Sequence, residues 1–152
     1  MAMPKSEWAA LIPHAGSMCL LDEVAAWDAA AIHARTQSHR RADNPLRSDG
    51  RLRALHLCEY GAQAMAVHGG LLARAAGTVA APGYLVSLRA VDLRVARIDD
   101  LAGALDVHAE CLLAGEASWQ YAFRVVHAGT EIARGRAAVI VATHPAAAAS
   151  GP

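Results

Sequence analysis

The sequence has no C-x-x-C pair, no H-x-x-x-H spacing, no glycine-rich phosphate loop and no G-x-S-x-G, and each absence argues against a class of chemistry. Without closely spaced His or Cys ligands, no metal site is expected. Without a phosphate loop there is no nucleotide cradle, and without a nucleophile elbow Ser/His/Asp hydrolysis has no scaffold. Net charge is missing too. Fourteen Lys plus Arg offset fourteen Asp plus Glu, so nothing overall draws the chain to nucleic acid or to an anionic membrane. No apolar run reaches the ~18 residues of a membrane span, and "MAMPKSEWAALIPHAG" lacks the continuous apolar core of a signal peptide. Cysteines are few. Cys19, Cys58 and Cys111 sit largely in apolar runs as small hydrophobes, which suits a reducing compartment. A soluble cytoplasmic protein is the expectation.

What is present is apolar. With 152 residues and 55% hydrophobic content, the chain has enough to bury one core, and a single domain over residues 1–143 is expected, with the patternless tail 144–152, "HPAAAASGP", left loose. Ser6 before "EWAALI" reads as the N-cap of a short helix closed by Pro13. Residues 18–28 and 30–37 read as two strands around a turn at Asp28, and the Arg-, Pro- and Gly-containing stretch 38–53 as a loop. Residues 54–76 form a helix that is apolar on every side and therefore wrapped by the rest of the domain; Gly69 and Gly70 are places where it bends, ends or admits a strand. Beyond residue 83 the period changes to two. A long strand over 83–98 is followed by "ALDVHAECLL", "WQYAFRV" and "EIARGRAAVIVAT", joined by the hairpin connections "GEAS" and "HAGT". The fold class is α+β, with one long antiparallel sheet around one central helix. Its exposed edge makes a dimer the simplest assembly.

Inside that apolar helix stands Glu59. A carboxylate there needs a partner or a cleft, because desolvation disfavours its charge. Helical spacing puts His56, Glu59 and Gln63 on one stripe, so Glu59 reads either as a structurally satisfied acid or as a general acid/base oriented by Gln63. Among the histidines, His33, His108, His127 and His144 read as surface residues and His68 as a satisfied core residue. His14 and His39 lie in loops flanking the helix or its sheet, where catalytic side chains are placed. The segment 35–53 carries six arginines against Asp43 and Asp49; it is either a solvated loop or a docking surface for an acidic carrier or a phosphate.

"LIPHAGSMCLLDEV", "LCEYGAQAM", "PGYLVSLRAVDLRVARI" and "GTEIARGRAAVIVA" together resemble the beta-hydroxyacyl-ACP dehydratases over roughly residues 11–142, and "NPLRSDG" followed by "EYGAQAMAVHGGL" is similar to the predicted dehydratases of aryl polyene clusters. The resemblance implies the hot-dog fold and dehydration of 3-hydroxyacyl thioesters borne on the phosphopantetheine of an acyl carrier protein or on CoA, with no other cofactor. It implies Glu59 as acid/base beside a histidine, in a homodimer or in a heterodimer with a related subunit. The family's Gly-His-Phe-Pro is replaced here by "RSDGRLRALHLCE". That leaves His39, 20 residues before Glu59, or His14 as the expected partner, with Gln63 orienting the acid. The backbone at Leu55, His56 and Leu57, at the start of the helix, is expected to face a developing oxyanion. Arg40, Arg41 and Arg47 are expected to meet the carrier. A hot-dog acyl-CoA thioesterase and a non-catalytic acyl-binding subunit are the rival readings.

Overall fold

The computed structural model describes residues 2–13, 16–80 and 83–141. A two-residue strand β1 (Met3–Pro4) precedes β2 (Glu23–Trp27) and β3 (Ala31–Thr36). Helix α1 (Leu57–Ala75) follows, and then β4 (Gly83–Leu93), β5 (Leu105–Ala114), β6 (Ser118–His127) and β7 (Thr130–Val141). The strands form one antiparallel sheet in the order β1-β2-β3-β5-β6-β7-β4. Strand, strand, helix and four strands is the order read from the sequence, with β1 added at one edge.

The period of two decides which face meets the helix. Ala34, Val107, Val125 and Ala133 lie opposite one another in register, as do Ile32, Ala109, Phe123 and Gly135, and all of these residues are buried. Against these rows packs α1, through Leu57, Tyr60, Ala64, Val67 and Leu71. This is the hot-dog arrangement. Helix α1 runs through Gly69 and Gly70 and stops at Gly77, whose φ of 72° is a left-handed terminus; Gly77 N–H donates to Arg74 O (3.0 Å) and Thr78 N–H to Ala73 O (2.8 Å).

Three local expectations need correction. The N-terminal helix is two 3-10 turns, Lys5–Glu7 and Ala9–Leu11, and Ser6 caps nothing; the fully buried Trp8 sits between them at φ −133°, which interrupts helical propagation. Residues 18–22 precede the strand: Gln63 of α1 takes the Met18 carbonyl and the Leu20 N–H, and the Thr36 hydroxyl takes the Leu20 carbonyl. The strand expected over 83–98 ends at Leu93, since residues 96–98 turn away to bond Ala54 and Leu52. The tail lies outside the described residues.

Strand β4 is an edge. Every residue over 83–91 is exposed, Tyr84 at 61% and Val86 at 53%, so one side of its backbone ladder is open to another strand. Among the described residues no helix is long and apolar enough to cross a membrane.

Candidate active site

A groove of about 970 Å³ runs between α1 and the β4 side of the sheet. Glu59, Ala62, Ala66, Gly69 and Ala73 form its helical wall at spacings of three and four, with Met65 and Leu72 beside them. Trp119 and Tyr121 of β6, Val139 and Val141 of β7, and Tyr84 and Leu85 of β4 line the sheet side, and Leu11 and Pro13 close one margin. The carboxylate of Glu59 is the one acidic group in this lining.

Glu59 is thus not buried. It stands exposed in the first turn of α1, where the helix N-terminus favours a negative charge. The start of the helix is pinned from behind. Ala54 N–H donates to Ala96 O (3.0 Å), Ile98 N–H to Leu52 O (2.8 Å), and Leu52 N–H to Asp99 Oδ1 (2.9 Å). The Arg97 guanidinium beside Asp99 holds its carboxyl well below the usual carboxylate range, so this clamp stays charged.

Gln63, expected to orient Glu59, does something else. Its Oε1 accepts from Leu20 N–H (2.8 Å) and its Nε2 donates to Met18 O (2.6 Å), which commits the amide to the loop before β2. The polar stripe therefore divides. His39 is fully buried in a 3-10 turn, Ser38–Arg40, with Nε2 at 2.9 Å from Leu101 O. That carbonyl only accepts, so Nε2 carries the proton and Nδ1 is a buried acceptor with no partner among the described residues. Burial pushes the imidazole below the usual histidine value, and His39 is not part of the groove. His14 lies outside the described residues. Pro13, just before it, is in the groove lining.

Two of the three expected helix-start donors are spent. His56 N–H donates to Arg53 O (3.1 Å) and Leu57 N–H to Ala54 O within the 3-10 turn, while Leu55 is exposed. Of the expected carrier contacts, Arg40 is exposed. Arg47 is a clasp: its guanidinium donates to Arg41 O (2.8 Å), Gly50 O (3.2 Å) and His39 O (3.3 Å), closing the loop on itself. Arg41 is half-buried, with Nε and Nη2 sealed from solvent and without a partner among the described residues.

His68 is the satisfied core residue the sequence suggested; what the sequence did not show is its partner Tyr121, which lines the groove. His68, fully buried on α1, meets Tyr121 Oη through Nδ1 (2.7 Å) and Asp28 O through Nε2 (2.8 Å). Its signal was the inward position of Tyr121 in the period of two; its partner on the helix has no spacing rule.

A family model described as ApeP-like, ApeP dehydratase, matches residues 6–150. The chain belongs to the ApeP-like dehydratase family. It is a dehydratase by that membership, as its motifs led us to expect. The dehydratase heterocomplex ApeI:P from Xenorhabdus doucetiae is similar at 22% identity, covering 93% of this chain and 95% of that one, with a TM-score of 0.79. AziG from S. sahachiroi is 20% identical over 86% of this chain and 97% of that one, with a TM-score of 0.61. A hypothetical thioesterase with coenzyme A from Streptococcus pneumoniae is 12% identical over 78% and 84%, with a TM-score of 0.56. At these identities the likeness is one of fold. No curated protein matches the chain.

Proposed function

We propose that this ApeP-like dehydratase converts 3-hydroxyacyl thioesters on an acyl carrier protein to 2-enoyl thioesters, in aryl polyene or fatty-acid-type chain building. The observation that carries the reading is Glu59, the one carboxylate among the described residues lining a mostly apolar groove that runs along α1. An acyl chain fits such a wall, and Glu59 meets the reacting carbons at its end.

The elimination needs two proton transfers. A base removes the proton from C2, the C2–C3 double bond forms, and the C3 hydroxyl leaves as water after protonation. Glu59 serves the leaving hydroxyl. The base is a histidine, and no histidine among the described residues lines the groove. We assign it either to His14, next to the groove-lining Pro13, or to a related hot-dog subunit paired at the open β4 edge. The heterocomplex that the Xenorhabdus structure contains supports the second source. Exposed Arg40 offers a cation to the carrier's acidic surface. A reducing cytoplasm suits the three unpaired thiols.

The test is turnover of a 3-hydroxyacyl carrier substrate by the chain alone and with its partner subunit, followed by 2-enoyl absorbance. Absorbance that depends on Glu59 supports the reading. Thiol release from acyl-CoA without enoyl formation assigns a thioesterase instead, and turnover indifferent to Glu59→Gln makes this chain a non-catalytic subunit.

A further inference from the structure

We propose that the β4 edge selects a related subunit over a second copy of this chain by charge, through Arg89 and Arg136, which call for an aspartate or glutamate on the incoming strand. The inference rests on the reading above in which a related hot-dog subunit pairs at this edge.

The charges form a row across the sheet. Buried Ala133, Gly135 and Ala137 alternate along β7 with exposed Arg134 and Arg136, which puts both arginines on the face away from α1. Arg136 lies opposite Arg89 of β4 on one side and Ala122 of β6 on the other, and Ala122 lies opposite Glu110 of β5. Inward from the edge the row is therefore Arg89, Arg136, Ala122, Glu110. Side chains directly opposite across a ladder stand about 5 Å apart, and like charges there are destabilising. The acid of the row is at its inner end, and the end left open is positive.

Nearby acids do not relieve this pair. Asp92 is 3.3 Å from Arg94 Nε, and Glu131 is 3.5 Å from Arg94 Nη2 and 3.8 Å from Arg134 Nε. Arg89 and Arg136 are exposed and form no ion pair among the described residues.

Apolar contact at this edge supplies affinity without choice. Leu85, Leu88 and Val91 are exposed on the inner side of β4, and any hot-dog strand covers them alike. The ladder shifts register between Arg89 and Asp92, with Ala90 at φ 53°. Such a bulge bends the strand, so Arg89 is the last position an incoming strand meets before the break. A second copy of β4, paired antiparallel about a two-fold axis, keeps its outer face on the same side and brings another Arg89 and Arg136 to the joint. The one acid of β4, Asp92, lies beyond the break and is held by Arg94. Self-pairing thus gathers like charges, whereas an acid opposite Arg89 turns the same row into an ion pair.

The experiment is sedimentation equilibrium of the full chain alone, with a charge-reversed copy carrying Arg89→Glu and Arg136→Glu, and with its hot-dog partner subunit, at low and high salt. Parent and reversed copy should pair about tenfold more tightly than either pairs with itself, and the gap should close as salt rises. Toward the partner subunit the reversed chain should bind about tenfold more weakly than the parent, with Arg89→Gln between them. Arg124→Glu, on β6 and away from the edge, should change either affinity far less. A parent that self-pairs as tightly as it pairs with the reversed copy overturns the inference, as does a preference that ignores salt, an equal response to Arg124→Glu, or no pairing at all. Charge-dependent assembly of a complex that does not dehydrate 3-hydroxyacyl thioesters leaves the selection in place and removes the chemistry. Dehydration by complexes whose affinity ignores the reversal keeps the chemistry and removes the selection.

Discussion

Phe123 packs so closely under Gly61 that a Cβ on Gly61 would sit 2.6 Å from the phenyl ring. On its other side the same ring covers Gly135, where a Cβ would be 2.9 Å away. The chain's one phenylalanine is thus held between two glycines, and the close approach fixes the distance of α1 from β6 and β7. Gly61→Ala should therefore destabilise the protein by about 1–3 kcal/mol through overpacking. Helix propensity alone predicts a gain of about 1 kcal/mol from the same change. Urea unfolding decides between the two signs, and a more stable variant would refute the packing account.

The β6–β7 hairpin turns at Ala128 and Gly129, with φ values of 49° and 80°. Two positive φ angles between His127 and Thr130 describe the turn favoured in two-residue hairpins, where asparagine is preferred first. An alanine in that region is strained. Ala128→Asn should raise stability by about 0.5–1 kcal/mol, read as a higher denaturant midpoint at unchanged slope. A lower midpoint would show that the turn relaxes in another way.

On the sheet face away from α1, the His33 and His108 rings stack at 4.2 Å and 16°. His33 Nε2 is 2.7 Å from Asp106 Oδ1, which Arg35 Nε also meets at 3.1 Å, while Arg124 lies opposite His108. Burial, then the positive neighbours His33 and Arg124, push His108 from 6.5 down to about 4. The folded protein keeps His108 neutral in that window, whereas the unfolded chain takes up a proton. Stability should fall as pH drops from 6.5 toward 4, and the buried His39 adds to the same trend. Urea melts at pH 7 and pH 5 test this: His108→Gln should lose less stability between them than the parent, and equal losses would exclude His108 as a source.

Periodicity carried the fold because β5, β6 and β7 each have one buried face, so Leu105, Val107, Tyr121, Phe123 and Val125 announce their side without tertiary information. Glu59 was legible for the opposite reason: it breaks an apolar pattern. Arg47 was not, since nothing in a run of arginines says that one folds back onto the carbonyls of Arg41 and His39. His39 looked available because loops are usually exposed, yet its ring is driven inside by the carbonyl of Leu101, 62 residues away. The limits of the early strands were hidden in the same way. Whether residues 18–20 bond to a neighbouring strand or to an amide depends on Gln63, 43 positions after Leu20.

Gln63 and Glu59 should consequently separate stability from catalysis. Gln63 is fully buried, and Gln63→Ala leaves Leu20 N–H and Met18 C=O without their partners. A loss of about 1–3 kcal/mol in unfolding free energy is expected, with kcat changed only as far as the displaced loop disturbs the groove margin. Glu59 is exposed and without a recorded hydrogen bond among the described residues, so Glu59→Gln should leave the denaturant midpoint nearly unchanged. Removal of the acid/base should lower kcat on the order of 10²–10⁴-fold. Unfolding curves and steady-state kinetics on both variants form one comparison. If Gln63→Ala costs kcat with no loss of stability, the amide orients the carboxylate after all, and the loop contacts seen here are secondary.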